Sequence, residues 1–230
     1  ASLIGRGALR ALSPSPSPRK GGEREIFRRQ RFCSETRNRC PLAALANSSQ
    51  CRRMQPAMPA TLTLRPATSA DWRLIRQWIA RPEVQRWWGS PNAAEAEIRI
   101  ALDSHAAISR MVMLGDEPIG YAHAIDASHW GPVLPEGMPL GTWDIDVLIA
   151  APEHRGQGLG ERAVDLLADE VFSTTLALAL SVFVSVKNEA AVRAYERAGF
   201  TWQQIWEDPI FGPSWMMLRE RPRTPKPTSN

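Results

Sequence analysis

The segment most suited to binding a ligand is residues 144–160, where a predicted strand leads through a glycine-rich turn into a predicted helix. Glycine has no Cβ, so Gly156, Gly158 and Gly160 leave their N–H groups accessible, and the helix N terminus adds free donors and a positive partial charge. Such a turn forms an anion-binding site that suits a diphosphate. The sequence excludes a Walker loop, because Glu161 follows Gly160 where Lys would be required. A glycine-rich turn without a ligand is the alternative.

A second segment that carries candidate functional residues is residues 188–200. Asn188 is a suitable helix N-cap, and Gly199 is a suitable C-cap. Ala191 and Tyr195 lie three and seven positions after the cap, so both fall on one helical face. The spacing assigns no role to Tyr195, and a packed core tyrosine is one interpretation of it.

Charge is unevenly distributed along the chain. Residues 1–57 hold 12 Lys or Arg and 3 Asp or Glu, a net +9, whereas residues 58–230 hold 16 and 21, a net −5. The overall charge of +4 therefore says little about the folded part, and nucleic acid is not predicted as a partner.

No apolar run reaches the roughly 20 residues of a membrane span. The three cysteines lack CxxC spacing and the four histidines lack ligand spacing with acids, so no metal site is predicted.

Residues 1–57 are predicted to be disordered, because they combine a Ser-Pro repeat at 13–18 with scattered Arg that follow neither helical nor strand periodicity. Three interpretations stay open: a transit peptide, a basic tail that touches anions, or translated sequence upstream of a start at Met54 or Met58. The cysteines all lie in this segment. The cysteine-free remainder is compatible with a reducing compartment, and a cytoplasmic location is predicted.

One domain is predicted for residues 58–220, followed by a loose tail at 221–230. Its elements indicate a mostly antiparallel sheet with two crossover helices, an α+β (mixed α/β) fold. Pro82 is expected to end the first helix, with a short turn at 86–89. The predicted strands are 61–66, 108–114, 118–125, 143–150, 176–186, 200–206 and 215–218, and the predicted helices begin at Ser69, Asn92, Gly158 and Asn188.

The two chemical segments together resemble the signature of the GNAT N-acetyltransferase family. The first contains Arg-x-x-Gly-x-Gly and the second Asn-x-x-Ala-x-x-x-Tyr-x-x-x-Gly-Phe, in the order of that family. The resemblance covers about residues 61–218. It implies a central twisted sheet flanked by helices, in which the strands at 144–150 and 176–186 splay apart and bind acetyl-CoA between them.

The resemblance also implies roles toward acetyl-CoA. The backbone of 147–149 would bind the pantetheine arm, the amides of 155–160 would hold the pyrophosphate, and Arg155 can add a charge-assisted hydrogen bond. Tyr195 would protonate the departing thiolate, since a phenol of pKa about 10 can donate to the thiolate of a thiol of pKa about 8.5. The implied cofactor-binding residues are Val147, Leu148, Ile149, Arg155, Gly156, Gln157, Gly158, Leu159, Gly160, Asn188 and Tyr195.

Three further segments, at 86–89, 116–122 and 145–146, resemble the aminoglycoside 6'-N-acetyltransferases within that family. In those enzymes the carboxylate that matches Asp146 binds the sugar amine and is a candidate base, and an attacking amine must lose a proton. Trp87 and Trp88 are candidates for an amphipathic wall against a sugar ring. The implied substrate-binding residues are Trp87, Trp88, Asp126, Asp144, Asp146 and Asp208, and His123, His129 and Glu136 are further candidates for the acceptor side.

The chain departs from this closer resemblance at Phe183 and near Phe211, where the aminoglycoside enzymes carry a carboxylate. Fewer acidic contacts suit an acceptor with one amine and an apolar or flexible arm. A siderophore-assembly acetyltransferase acting on a lysine-type hydroxylamine is therefore the second interpretation. A protein N-acetyltransferase and a catalytically silent acyl-CoA-binding module are further alternatives, the last disfavoured because Asp146 and Tyr195 are both present. The expected partner is a small cationic amine, and the expected assembly is a monomer or a homodimer.

Overall fold

The computed structural model describes residues 60–130, 134–208 and 212–223. The strands are β1 (Leu62–Pro66), β2 (Ala107–Leu114), β3 (Glu117–Asp126), β4 (Thr142–Ile149), β5 (Ala179–Ser185), β6 (Thr201–Asp208) and β7 (Gly212–Glu220). The helices are α1 (Trp72–Ile79), α2 (Pro82–Trp88), α3 (Pro91–Asp103), α4 (Leu159–Thr174) and α5 (Glu189–Arg197). The predicted disordered segment 1–57 and most of the predicted tail, 224–230, lie outside the described residues.

The strands form one sheet in the order β1-β2-β3-β4-β5-β7-β6, and every neighbouring pair is antiparallel except β4 and β5. Helices α4 and α5 share one buried cluster with Ile145 and Leu180, and α1, α2 and α3 share a second cluster with Tyr121 and Leu148. Adjacent residues of β4 thus face opposite layers, as the alternation of a strand requires. The predicted fold class is confirmed. Within the described ranges, no helix combines the length and apolar composition needed to cross a bilayer.

The largest difference from expectation is in residues 82–88, which form helix α2 instead of a turn. Pro82 takes the first helical position, where its missing N–H costs no hydrogen bond, so it begins a helix as well as ending one. Gly89 ends α2 in the left-handed region, with φ of +75°. Trp87 and Trp88 therefore project from a helix, and the helical turn fixes their directions.

Helix α3 begins at Pro91, one residue before the predicted start at Asn92. Ser90 is its N-cap, because the Ser90 hydroxyl accepts a hydrogen bond from the N–H of Ala93 at 3.3 Å. This cap fixes where the helix starts, and with it which residues of α3 face the sheet.

The predicted apolar strand at 176–186 is shorter in the structure. Leu176 and Leu178 are 93% and 59% exposed, so the strand begins only at Ala179. At the other end of the chain, Arg221 lies in the predicted loose tail, but its guanidinium is held by backbone carbonyls. The acceptors are those of Phe172, Thr175 and Ala177.

Candidate active site

Strands β4 and β5 separate along their length. Their parallel pairing covers three positions and ends at Asp144 and Ser181. Strand β4 stays paired with β3 as far as Ile149, and β5 stays paired with β7 as far as Ser185. A gap therefore opens between the two strands beyond Asp144 and Ser181, which is the splayed pair that the resemblance implies.

A cleft of about 410 Å³ is lined by the second half of β4, the loop before α4, one face of α5, and helix α2. Residues as distant in sequence as Trp87 and Tyr195 thus face one cavity. The predicted cofactor-side residues that line it are Val147, Leu148, Ile149, Arg155, Gly156, Gly158, Gly160, Asn188 and Tyr195, and the predicted acceptor-side residues that line it are Trp87 and Trp88.

The glycine-rich loop leaves open space in front of its backbone. Gly156 and Gly158 have φ of +71° and +74°, and within the described part of the chain a Cβ added at either would meet no heavy atom within 4 Å apart from its chain neighbours. Helix α4 begins directly after Gly158, so the N–H groups of its first turn lack helical carbonyl partners. Open space, main-chain donors and the positive end of a 16-residue helix fit the diphosphate of coenzyme A.

Three side chains of residues 155–160 contact other parts of the protein. Arg155 donates to the carbonyls of Ile149 at 3.2 Å and Ala150 at 3.0 Å, and so ties the loop to the end of β4. Leu159 is 6% exposed and packs in the core, and Gln157 donates to a carbonyl within the loop. What Gln157 and Leu159 can offer an anion is therefore their main-chain N–H.

Helix α5 contributes a tyrosine to the cleft. Asn188 caps the helix as predicted, accepting a hydrogen bond from the N–H of Ala191 at 3.3 Å. Two turns further on, Tyr195 is 6% exposed, and its ring packs edge-on against Phe200 with 5.4 Å between centroids. The ring is thus fixed by packing at the cleft wall, where a phenol can donate a hydrogen bond.

Asp146 belongs to a cluster of three titratable side chains. Its Oδ2 is 3.8 Å from Nε2 of His123, its cross-strand neighbour on β3. The same imidazole nitrogen is 3.6 Å from Oε1 of Glu97 on α3. One donor atom from each residue lies within 4.8 Å of the others. Two carboxylates and an imidazole from three elements therefore converge on one point, a set that can hold a cation.

The surroundings of this cluster are aromatic. The His123 side chain is 1% exposed, with the ring of Trp88 edge-on at 6.2 Å and that of Tyr121 at 5.7 Å between centroids. Burial, and in addition the charges of Glu97 and Asp146, raise the pKa of the Tyr121 phenol above its ordinary value, while its hydrogen bond to Ser109 acts in the opposite direction. The Glu97 and Asp146 side chains are themselves only 17% and 16% exposed, so little water screens their charges.

Sequence reasoning missed Glu97. On α3, Ala94, Ile98 and Ala101 are buried, and Glu97 lies between them on the same face, three residues after Ala94 and four before Ala101. A carboxylate in the middle of an apolar helix face is costly unless it has a partner or a role. An acidic residue at that position is a signal that could have singled out Glu97 in the sequence, but it does not show which residues Glu97 meets.

Two of the predicted substrate carboxylates, Asp144 and Asp126, make hydrogen bonds within the protein. Asp144 is 3% exposed and accepts a hydrogen bond from the Ser181 hydroxyl at 3.0 Å, which links β4 to β5. Asp126 accepts a hydrogen bond from the N–H of Ser128 at 2.9 Å, which fixes the turn after β3. The β4–β5 pairing encloses the side chain of Asp144, whereas the sequence analysis placed it against the substrate.

The remaining predicted acceptor-side residues lie on loops. His129 approaches the Ser104 hydroxyl at 3.5 Å, and the carbonyl of Glu136 accepts a hydrogen bond from Gln204 at 2.6 Å. These contacts join loops to neighbouring elements and do not direct either side chain to Asp146. The side chain of Asp208 and the whole of Phe211 lie outside the described residues.

Known proteins resemble this chain over most of its described part. A family model described as an acetyltransferase (GNAT) domain matches residues 67–207. The aminoglycoside N(6')-acetyltransferase type 1 of Klebsiella pneumoniae is 30% identical over 169 residues, which cover 70% of this chain and 84% of that protein. The spermidine N(1)-acetyltransferase of Escherichia coli (strain K12) is 27% identical over 146 residues, 61% of this chain and 73% of that protein.

A solved structure gives the same result. The aminoglycoside acetyltransferase AAC(6')-Ib in complex with coenzyme A has a TM-score of 0.62 to this chain at 30% identity, covering 70% of this chain and 95% of that one. Because the family model spans more than half of the 230 residues, the chain belongs to the GNAT acetyltransferase family and is an acetyl-CoA-dependent N-acetyltransferase.

Proposed function

We propose that the protein transfers the acetyl group of acetyl-CoA to the 6'-amine of an aminoglycoside. The observation that carries this proposal is the position of Asp146. It follows Asp144, the last residue of β4 paired with β5, by two positions on the same face of the strand, so its carboxylate lies beside the opening of the splayed pair. An amine bound by Asp146 would lie close to the thioester of acetyl-CoA bound in the cleft.

The chemistry divides among a few groups. Acetyl-CoA supplies an acetyl group activated as a thioester. Asp146 binds the acceptor ammonium and helps to remove a proton, because only the neutral amine attacks a carbonyl. Tyr195 donates a hydrogen bond to the departing thiolate. The main chain of the glycine-rich loop holds the diphosphate, and so fixes the distance between the two reactants.

Charge and aromatic surface support a cationic sugar as the acceptor. Residues 58–230 carry a net charge of −5, which attracts a polycation. Trp87 and Trp88 line the cleft and offer flat apolar faces of the kind on which sugar rings stack. The relative from Klebsiella pneumoniae, named for 6'-acetylation of aminoglycosides, supports the same acceptor class.

A second candidate acceptor, a hydroxylamine on a lysine-type arm, is favoured by one contact. Phe183 follows Ser181 on β5, on the face that carries Asp144 and Asp146 on β4, and its ring packs against Trp206 with 6.2 Å between centroids. An aromatic pair at this position suits an apolar or flexible arm better than a second ammonium group. Under this alternative, Asp146 and Tyr195 keep the roles given above.

Thiol release from acetyl-CoA tests both candidates in one experiment. The full chain is incubated with kanamycin, tobramycin, spermidine or N6-hydroxylysine, and the product is located by mass spectrometry and NMR. Acetylation of kanamycin and tobramycin at the 6'-amine is expected. A preference for hydroxylysine would favour the second candidate. Coenzyme A binding without acceptor-dependent thiol release from any amine would leave an acyl-CoA-binding module.

A further inference from the structure

We infer that Glu97 is a second acceptor-binding carboxylate, which holds the reacting ammonium group together with Asp146. This inference rests on the proposed function only in taking a small cationic amine as the acceptor. It names a specificity residue on α3, an element remote in sequence from both chemical motifs.

The spacing of the two carboxylates matches one ammonium group. An ammonium nitrogen donates to carboxylate oxygens at about 2.8 Å, so one nitrogen with tetrahedral bonds bridges two oxygens that lie about 4.6 Å apart. The nearest donor oxygens of Glu97 and Asp146 lie within 4.8 Å of each other. This upper limit is compatible with one nitrogen bridging the two carboxylates.

Electrostatics favours a cation at this point. Two carboxylates at this distance repel each other when both are ionised, and the repulsion is strong where little water screens it. His123 lies on one side of the pair, with Nε2 at 3.6 and 3.8 Å from the two oxygens. Its side chain is 1% exposed, whereas those of Glu97 and Asp146 are 17% and 16% exposed, so a ligand reaches the carboxylates rather than the imidazole.

The cluster shares a wall with the cleft. Trp88 lines the cleft and also contacts His123 edge-on. An amine held by Glu97 and Asp146 is thus bounded by the tryptophan that borders the cleft, and by the strand whose second half lines it. Glu97 is placed to select acceptors that carry a positive charge at the reacting nitrogen, a selection that the glycine-rich loop cannot make.

The test compares Glu97→Gln with Glu95→Gln on the same helix. Glu95 forms ion pairs with Arg76 at 3.3 Å and Arg99 at 3.1 Å, and so carries the same charge change outside the cluster. Loss of one charge-assisted hydrogen bond is expected to raise the KM for kanamycin and spermidine about tenfold or more in Glu97→Gln. The KM for acetyl-CoA is expected to stay unchanged, and Glu95→Gln is expected to match the wild type throughout.

An unchanged amine KM in folded Glu97→Gln would overturn the inference. If that variant does not fold, Glu97→Asp withdraws the carboxylate by about 1.5 Å, one carbon–carbon bond, and an amine KM equal to the wild type would overturn it equally. Calorimetric titration with zinc chloride separates a metal site. Zinc binding that needs Glu97, combined with an amine KM that does not, would overturn the inference in favour of a metal.

Failure of the proposed function can be distinguished from failure of the inference about Glu97. If the wild type acetylates no amine, kanamycin is titrated into the coenzyme A-loaded wild type and into loaded Glu97→Gln by calorimetry. Weaker binding to the variant would support the role of Glu97, and equal binding would overturn it. Either result is independent of turnover.

Discussion

The two halves of the cleft are built from different parts of the polypeptide. The donor half consists largely of main chain: the end of β4, the loop at 155–160 and the first turn of α4. The proposed acceptor half consists of side chains: Trp87 and Trp88 of α2 line the cleft, and the cluster of Glu97, His123 and Asp146 lies against Trp88. A main-chain site depends on backbone shape and on the absence of a Cβ. A side-chain site depends on a few atoms that the tertiary fold must bring together.

This difference makes the two halves separable by mutation. A change in the donor half is expected to alter acetyl-CoA binding and leave acceptor selection intact, and a change in the acceptor half is expected to do the reverse. Variants that changed acetyl-CoA binding and acceptor selection equally would show that the two halves do not act separately.

The largest effect is expected for Asp146→Asn. Removal of the charge that binds the amine and helps to deprotonate it should lower kcat by about 100-fold or more, because proton-transfer groups typically contribute that much. Acetyl-CoA affinity, measured by calorimetry, should stay as in the wild type. Asp144→Asn, on the same face of the same strand, should weaken its link to Ser181 and keep acceptor kinetics. A full rate in Asp146→Asn would remove Asp146 from the mechanism.

Tyr195→Phe comes next and tests the boundary between the halves. The phenyl ring keeps its packing on Phe200, so the free energy of unfolding should change little. Loss of the hydrogen bond to the departing thiolate should lower kcat about tenfold or more, with both KM values nearly unchanged. Pre-steady-state kinetics with kanamycin check the chemical step directly, and an unaltered chemical rate would assign Tyr195 to packing alone.

Gly158→Ala tests the donor half of the cleft, and Gly212→Ala is its matched control. Both glycines are left-handed, with φ of +74° and +72°, and among the described residues, chain neighbours aside, a Cβ at either position would meet no heavy atom within 4 Å. Both variants should therefore lose about 1–2 kcal/mol of unfolding free energy. Only Gly158→Ala should also weaken acetyl-CoA binding, by about tenfold, because its methyl enters the space in front of the loop. Equal calorimetric affinity in the two variants would contradict that placement.

The smallest effect is expected outside the cleft, at Asp71. Hydrogen bonds from Arg65 at 2.9 and 2.7 Å lower the pKa of Asp71 to about 2. The folded pKa is below the unfolded value of about 3.9, so the stabilisation is present above pH 4 and is lost as the pH falls towards 2. Asp71→Asn should cost about 1 kcal/mol at pH 7 by denaturant unfolding, with wild-type kinetics, and the difference should shrink as the pH falls from 4 through 2. A constant difference across that range would contradict the ion pair.

The donor half was predictable because its signal is local. Glycines at 156, 158 and 160, a helix that follows, and a capped helix at 188 are all properties of short segments, and the structure gathers them around one cleft. The acceptor half was predictable only in part. Asp146 is close in sequence to the glycine-rich loop, but Asp144, two residues away, looks equivalent in sequence and is enclosed by the β4–β5 pairing.

Local sequence patterns predicted most of the strands and helices and the backbone-built anion site, because hydrophobic periodicity, glycine and helix capping act over a few residues. The family was predicted by the resemblance of two short motifs. The packing of the fold was needed to show that α2 is a helix bearing two cleft tryptophans, and that Glu97 meets His123 and Asp146. Contacts between α3, β3 and β4 join residues far apart in the chain, and no local pattern records which of several carboxylates the sheet register and helix packing bring together.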